Sequence, residues 1–563
     1  MSTMAMKGKG EVRLRERFIS SNQWFTLSAI LFIFILFVWP FVRLIWMSVT
    51  ADGSLTLAHF SQIFQDAQFW KMFRRTLWIV VWATLGALLL GFVYAYVIAY
   101  TDVRGKKVMQ LLLMMPFIVP SYILTIGWTQ FAQLFQINLY SIGGIIFVLM
   151  ISHFPLVFLF TLTMLQRIPL ELEQAVRVSG GNQWTVLKQV TFPLALPGLV
   201  GGGLLAFLTN LDNFGIPAFL GIPAHITVLS TAIYQEVVGF GPGAFSRAAA
   251  LSAILAVIAL VGYTLQNLIL KNKQHISETA PVVTTPRIPL GKKKIYVELI
   301  LWSSVLLLTI VPLLVLVKTS VIKVYGLPFR FENLTLSHYQ FLLQDTDKVW
   351  NSLQTSGMFA VITVALTIII GTALAYVRSR SNTLTSRWME GMITIPYALP
   401  GIVLALSMIL AWMEPLPGWN PNIYGTGKIL ILAYFTRFLI LQVKGSAVAF
   451  AQVSVDLEEA AQVSGASPFA KWKEILWPLV ATGVSIGALF VALTTFTELT
   501  VSSLLWSSGT ETVGVMIFNY EQAGYTTYST AFSVIVLSLM ASVALFVALL
   551  LRMKNKKRGG MIR

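Results

Sequence analysis

The chain has 563 residues, 56% hydrophobic and 11% charged, with a mean hydropathy of +0.76, which excludes a soluble multi-domain protein. It belongs in a bilayer, where about 20 apolar residues cross roughly 30 Å of hydrocarbon. The formal net charge of +17 invites a nucleic-acid reading, but the placement of the charges excludes it. With an inside N-terminus, 29 of the 40 Lys and Arg fall in segments that would then be cytoplasmic, nine in outer segments and two, Arg43 and Arg437, within spans. That is the positive-inside bias of a membrane protein. The lack of cysteine excludes thiolate metal sites, iron-sulfur clusters and disulfides.

In chain order, residues 1–24 form a basic tail (Lys7, Lys9, Arg13, Arg15, Arg17) too polar for a cleavable signal peptide. Twelve apolar runs follow, six in a first half (25–270) and six in a second (295–552). The halves are joined by a polar, basic linker (271–294) and followed by a second basic tail (553–563). Each half repeats the other. The outer segment Leu55–Phe64, predicted as a short surface helix, is matched by Leu334–Leu343. In the second spans GFVYAYV from Gly91 is matched by GTALAYV from Gly371. The third spans open with Pro116 and Pro120, matched by Pro396 and Pro400, and prolines at that spacing predict buried, bent helices. Six spans per half is an even number, so both halves enter from one side. The fold class is therefore all-α, twelve transmembrane helices as two tandem parallel repeats.

The firmest repeat is a charged island, Ile168–Gly198, that aligns without a gap with Val453–Gly483 at an offset of 285. Pro169 stands where a helix would begin, Leu172, Ala175, Val176 and Ser179 share one face, and Gly180-Gly181 would end it. A second short helix, about residues 183–190, is expected to end at Pro193 before span five, where a glycine run (Gly201 to Gly203) permits close helix approach. Two short helices at an angle suit docking to a soluble partner. An amphipathic loop lying on the membrane is the plainer reading, and the gapless duplication weighs against it.

These islands resemble the signature loop of ABC importer permeases, E-A-A, three residues, Gly, nine residues, I-x-L-P. The second carries Glu459, Ala460, Ala461, Gly465, Ile475 and Pro478. The first is degenerate, with Gln174, Ala175, Val176, Gly180, Val190 and Pro193, and Glu173 and Glu458 precede the motif in both. The resemblance extends over both halves, most closely to fused permeases of the ferric iron uptake class, through DNFGIPAFLG from Asp212 and TELTVSSLLW from Thr497. It implies a cytoplasmic-membrane importer with both termini inside. An extracytoplasmic binding protein delivers the solute, and an ATPase homodimer receives the two loops as coupling helices. The chain itself has no nucleotide loop of the GxxxxGK[ST] kind, so no cofactor is expected on it and ATP would be hydrolysed by its partners. Thiamine, aminophosphonate and polyamine permeases share parts of the pattern.

Ionisable residues within spans each cost about 2.5–3.5 kcal/mol on insertion scales, so they are candidates for function. Asp212, with its neighbour Asn213, and Glu498 hold nearly the same place in the two halves and are candidate pathway residues. The alternative is that both acids are solvated or paired with Arg43 or Arg247. His153 and Arg437 are expected to be satisfied by bonds between helices. The matched His59 and His338 invite a metal reading but read first as packing of the repeated unit. An intramembrane enzyme would need a nucleophile with a base, or a motif such as HExxH, and neither is present. An ion-coupled secondary transporter would have no use for two matched docking loops.

Overall fold

The computed structural model describes residues 28–559 apart from 52, 240, 242, 272–286, 346, 382 and 416–419. The first basic tail, most of the linker and the last four residues lie outside the described residues.

The apolar runs become helices because, in hydrocarbon, each backbone N–H and C=O has to find its partner within the segment. Among the described residues eight helices are long and apolar enough to cross a membrane: Ala67–Tyr100, Ile142–Leu165, Gln183–Asp212, Ala244–Leu265, Asp347–Arg380, Gly427–Ala451, Pro468–Phe496 and Thr526–Leu549. Four bent pairs bring the number to twelve when each is counted as one span: Ser28–Phe37 with Trp39–Ser48, Lys106–Ile118 with Ser121–Gln133, Gly291–Thr309 with Val311–Ser320, and Leu384–Ala398 with Gly401–Trp412. They are numbered here as spans one to twelve in chain order. Strand structure among the described residues is confined to a small antiparallel ribbon, Thr50–Ala51 with Ser54–Leu55, and two isolated bridges. This is the all-α, two-half membrane fold that the repeats predict.

The bends recur at matched places. Spans one and seven turn by 47° and 41°, spans three and nine by 103° and 108°. Pro40 and Pro312 stand in the first turn of the second arms of spans one and seven, and Pro120 and Pro400 cap the second arms of spans three and nine. A residue without an N–H cannot continue the ladder. The expected burial falls on the second arms alone: all of Gly401–Trp412 is buried, as is Tyr122 through Trp128, whereas the first arms are buried on one side only.

Spans two, four and five pack together in the first half, and spans eight, ten and eleven in the second. Span five comes against the backbone of span four. A Cβ on Gly202 would stand 2.8 Å from Val157 Cα, and one on Gly198 would stand 2.7 Å from the Phe160 carbonyl oxygen. The halves then exchange arms. Trp39–Ser48 packs on Gly401–Trp412 of the second half, and Val311–Ser320 packs on Ser121–Gln133 of the first, so each sharply broken span lies against an arm of the other half.

His59 and His338 do the same work twice. A ring nitrogen of His59 lies 3.2 Å from Thr50 O and one of His338 lies 2.9 Å from Ile322 O, tying each short outer helix to the chain leaving span one or seven. Among the described residues no group of three or more His, Cys, Asp or Glu could hold a metal ion.

Candidate functional site: two matched loops and the boundary between halves

After span four the chain forms the helix Leu170–Val178, turns, and enters span five through Gln183–Val186. After span ten Val455–Val463 does the same, leading through Pro468–Ala470. The turn is identical in both. Gly180 N–H donates to Arg177 O and Gly465 N–H to Gln462 O, each at 3.0 Å, with φ of +85° and +79°. That left-handed conformation is what a glycine after a helix supplies. Asn182 and Ser467 cap the second arm, accepting from Thr185 N–H at 2.9 Å and Ala470 N–H at 3.2 Å.

Pro193 does not end this second arm, contrary to the sequence expectation. Leu187–Thr191 and Lys471–Leu476 are wound as π-helix, and Pro193 and Pro478 sit in the first turn of the segments that follow. Phe192 N–H reaches Leu187 O, and Trp477 N–H reaches Trp472 O, five residues back in each case. The wider turn makes room for the proline ring and its missing donor. The helix of span five therefore begins at Gln183, ahead of Pro193, and each second arm is continuous with a membrane span.

The two acidic positions in each loop part company. Glu173 and Glu458 are 0% and 5% exposed and face inward. Glu173 accepts the Tyr100 hydroxyl at 2.5 Å and pairs with Arg287. Glu458 accepts from Tyr376 Oη at 2.7 Å, Arg380 Nε at 2.7 Å and Lys471 Nζ at 3.1 Å. Burial pushes the Glu458 carboxyl up, but these hydrogen bonds outweigh it and hold the group below the usual carboxylate range. Their neighbours Gln174 and Glu459, with Ala175, Ala460, Gly180 and Gly465, are exposed, while Ala461 is buried. Of the four residues expected on one face, Leu172, Ala175 and Ser179 are exposed, so the inner face belongs to Glu173 and the half-buried Val176.

At the boundary between halves, Asp212 Oδ1 accepts Gly401 N–H at 2.6 Å and Oδ2 accepts Arg437 Nη2 at 2.7 Å. In the reverse direction the Tyr122 hydroxyl donates to Thr497 O at 3.3 Å. The end of span five thus grips the break in span nine, and the end of span eleven grips the break in span three. Glu498 turns both oxygens to its own chain, accepting Val501 N–H at 2.8 Å and Ser502 N–H at 2.9 Å. Asn213 donates to Ser121 Oγ at 3.1 Å. Neither acid pairs with Arg43 or Arg247. Those arginines are taken by Glu414 at 2.7 Å, and by Asp66 at 2.9 Å and Glu236 at 3.0 Å. His153 is held as expected, its Nδ1 lying 2.7 Å from Asn210 Oδ1, and Asn210 Nδ2 donates to Thr84 Oγ1 at 3.1 Å. A cavity of about 440 Å³ opens here, lined by Ser121, His153, Asn213, Arg437, Thr497 and Glu498 among others from both halves. Asp212 is not among its lining residues.

The family of binding-protein-dependent transport system inner membrane components matches residues 87–274 and again 367–558, more than half of the chain. The chain belongs to that family and carries its domain twice. It is thus a multi-pass plasma-membrane permease of the ABC importer type, whose family works with a binding protein and an ATPase, and its role is transport rather than catalysis. Among similar proteins, a Fe(3+)-transport system permease of Haemophilus influenzae is 24% identical over 480 residues, spanning 84% of this chain and 89% of the relative. A ferric transport system permease of Actinobacillus pleuropneumoniae is 22% identical over 541 residues, 92% of this chain and 77% of the relative. A putative 2-aminoethylphosphonate transport system permease of Salmonella typhimurium is 27% identical over 221 residues, 36% of this chain and 77% of the relative.

Proposed function

We propose that this permease imports ferric iron, free or as a small complex, received from an extracytoplasmic binding protein, and that its two loops seat on the two subunits of an ATPase homodimer. The observation that carries the docking role is a matched apolar triad. Leu172 and Leu457 are 46% and 48% exposed, Val178 and Val463 both 89%, and Trp184 and Phe469 69% and 74%. Apolar side chains left in the open in equal measure at equivalent places fit a partner presenting the same surface twice. The distribution of Lys and Arg puts the loops, the linker and both tails in the cytoplasm. In this reading the cavity between halves, with Asn213, Arg437 and Glu498 on its wall and Asp212 behind Arg437, belongs to the solute pathway, and rocking of the halves opens it to either side.

Iron rests on the relatives, because the two matched over 84% and 92% of the chain are ferric permeases by name, whereas the aminophosphonate permease is matched over 36% of it. The carboxylates cast no separate vote for a bare cation, since Asp212 is neutralised by Arg437 and Glu498 is occupied by backbone donors. Deleting the gene and following labelled ferric iron, thiamine and an aminophosphonate tests the assignment. Loss of iron uptake alone is expected, and unchanged iron uptake with loss of either other solute overturns it. Copurification with the ATPase should give one permease chain for two ATPase subunits, and two chains for two subunits would count against the docking arrangement.

A further inference from the structure

Glu173 and Glu458 occupy the same place in the two loops, yet their cations come from different parts of the chain. Glu458 is paired by Arg380, at the end of span eight in its own half, and by Lys471. In the alignment that matches Gly91 with Gly371, residue 380 corresponds to Tyr100, which carries no charge. The first half takes its cation from the linker. Arg287 pairs through Nη1 with Glu173, donates through Nη2 to Ile168 O at 2.5 Å, and sets its guanidinium 4.8 Å from the centre of the Tyr100 ring. Its side chain is 2% exposed.

The backbone around Arg287 is fixed to the same place. The N–H groups of Arg287 and Ile288 both reach Tyr100 O at 2.9 Å, and Ile288 forms a parallel bridge with Thr101. Leu290 N–H and Lys294 Nζ each lie 3.0 Å from the Asp102 carboxylate, and Arg104 N–H donates to Glu298 at 2.8 Å. Those bonds and Lys294 hold the Asp102 carboxyl below the usual carboxylate range. The end of the linker and the start of the second half are therefore laid along the end of span two, with one arginine inserted under the first loop.

We propose that Arg287 is a positioning residue for the first docking loop, which makes that loop a composite of the first half and the linker while the second is complete within its own half. This rests on the reading of the loops as docking sites. A buried carboxylate that loses its cation has to move toward water or take up a proton, and Glu173 is the inner anchor of the helix that carries Leu172 and Val178. A lysine would restore charge but not the fork that serves Glu173 and Ile168 together.

The chain has no cysteine, so single cysteines at Val178 or Val463 report each loop separately through protection from maleimide when the full chain is assembled with its ATPase. With Arg287→Ala, protection at position 178 should fall about tenfold, as for a loss of roughly 1.4 kcal/mol in docking, while protection at 463 is unchanged. Arg380→Ala should do the reverse. Adding Tyr100→Arg, which puts a cation where the second half has one, should restore protection at 178. Arg287→Lys gives the same reading, with a smaller loss, if the alanine variant accumulates poorly. Equal losses at both positions, or full protection at 178 without Arg287, overturn the proposal. Absence of protection at either position in the single-cysteine chains with Arg287 and Arg380 intact would instead sink the docking role of the loops.

Discussion

Asp212, at the end of span five, and Arg437, midway along span ten, close a 2.7 Å ion pair across the boundary between the two halves. The same carboxylate caps the broken arm of span nine through Gly401 N–H. One side chain of the first half therefore holds two elements of the second, at the place where halves that rock against each other would have to part.

Asp212→Asn keeps an acceptor for Gly401 but strands Arg437, whose side chain is 9% exposed. Removing one partner of a buried pair costs about 3–5 kcal/mol, and the 31% exposure of Asp212 puts this pair at the lower end. The thermal midpoint in detergent should drop and uptake should fall while ATPase still copurifies. Adding Arg437→Gln should recover much of the stability. If the two losses simply add, the pair contributes nothing as a pair.

Gly401→Ala should act through the same pair. A Cβ there would stand 2.7 Å from Arg437 Cζ and 2.9 Å from Nη2, so the guanidinium has to shift off the Asp212 carboxylate. The loss of thermal stability should be large in the native background and much smaller in Asp212→Asn, where the pair is already broken. Equal losses in both backgrounds would trace the effect to the helix terminus alone.

The repeat made most of this fold legible, because it fixed the pairing of spans, the bends at Pro120 and Pro400 and the two loops from residue types alone. What it hid were relations between the halves. Asp212 and Arg437 were each visible as costly charges within spans, but no offset of the repeat brings them together, since the contact runs across the axis. Arg287 gave no signal, lying in a linker among other basic residues with its partner 114 positions earlier. Pro193 misled because a proline marks the end of an α-helix by rule, and the π-turn that absorbs it has no pattern of its own. Glu173 and Glu458 stand out in sequence only as matched acids of the two loops, and their depth is what shows them to be anchors.

Gly465 has φ +79° and open space where a Cβ would go. A side chain there meets no neighbour, only the strain of the left-handed region, about 1–2 kcal/mol, which a protein of this size tolerates. The angle between the two arms of the loop should still change. Gly465→Val is expected to fold and reach the membrane but to lower ATPase stimulation by loaded binding protein several-fold. Gly465→Asn, which visits that region more readily, should keep most of it. Stimulation that survives valine would mean that the angle set by this glycine does not matter to coupling.

Glu498 is 8% exposed, and its two oxygens each accept a backbone N–H, from Val501 and Ser502. Glutamine offers one acceptor and one NH₂ group in the same shape, so one of the two N–H groups would face a donor instead. A buried donor left without a partner costs about 1–3 kcal/mol. Glu498→Gln should therefore lower the thermal midpoint modestly and reduce uptake, while ATPase copurification persists because neither loop is touched. The two readouts separate two roles for this residue. Reduced uptake at an unchanged midpoint would mean that the charge itself meets the solute in the cavity it lines. A lowered midpoint with normal uptake would make Glu498 a brace for the chain after span eleven and remove it from the pathway.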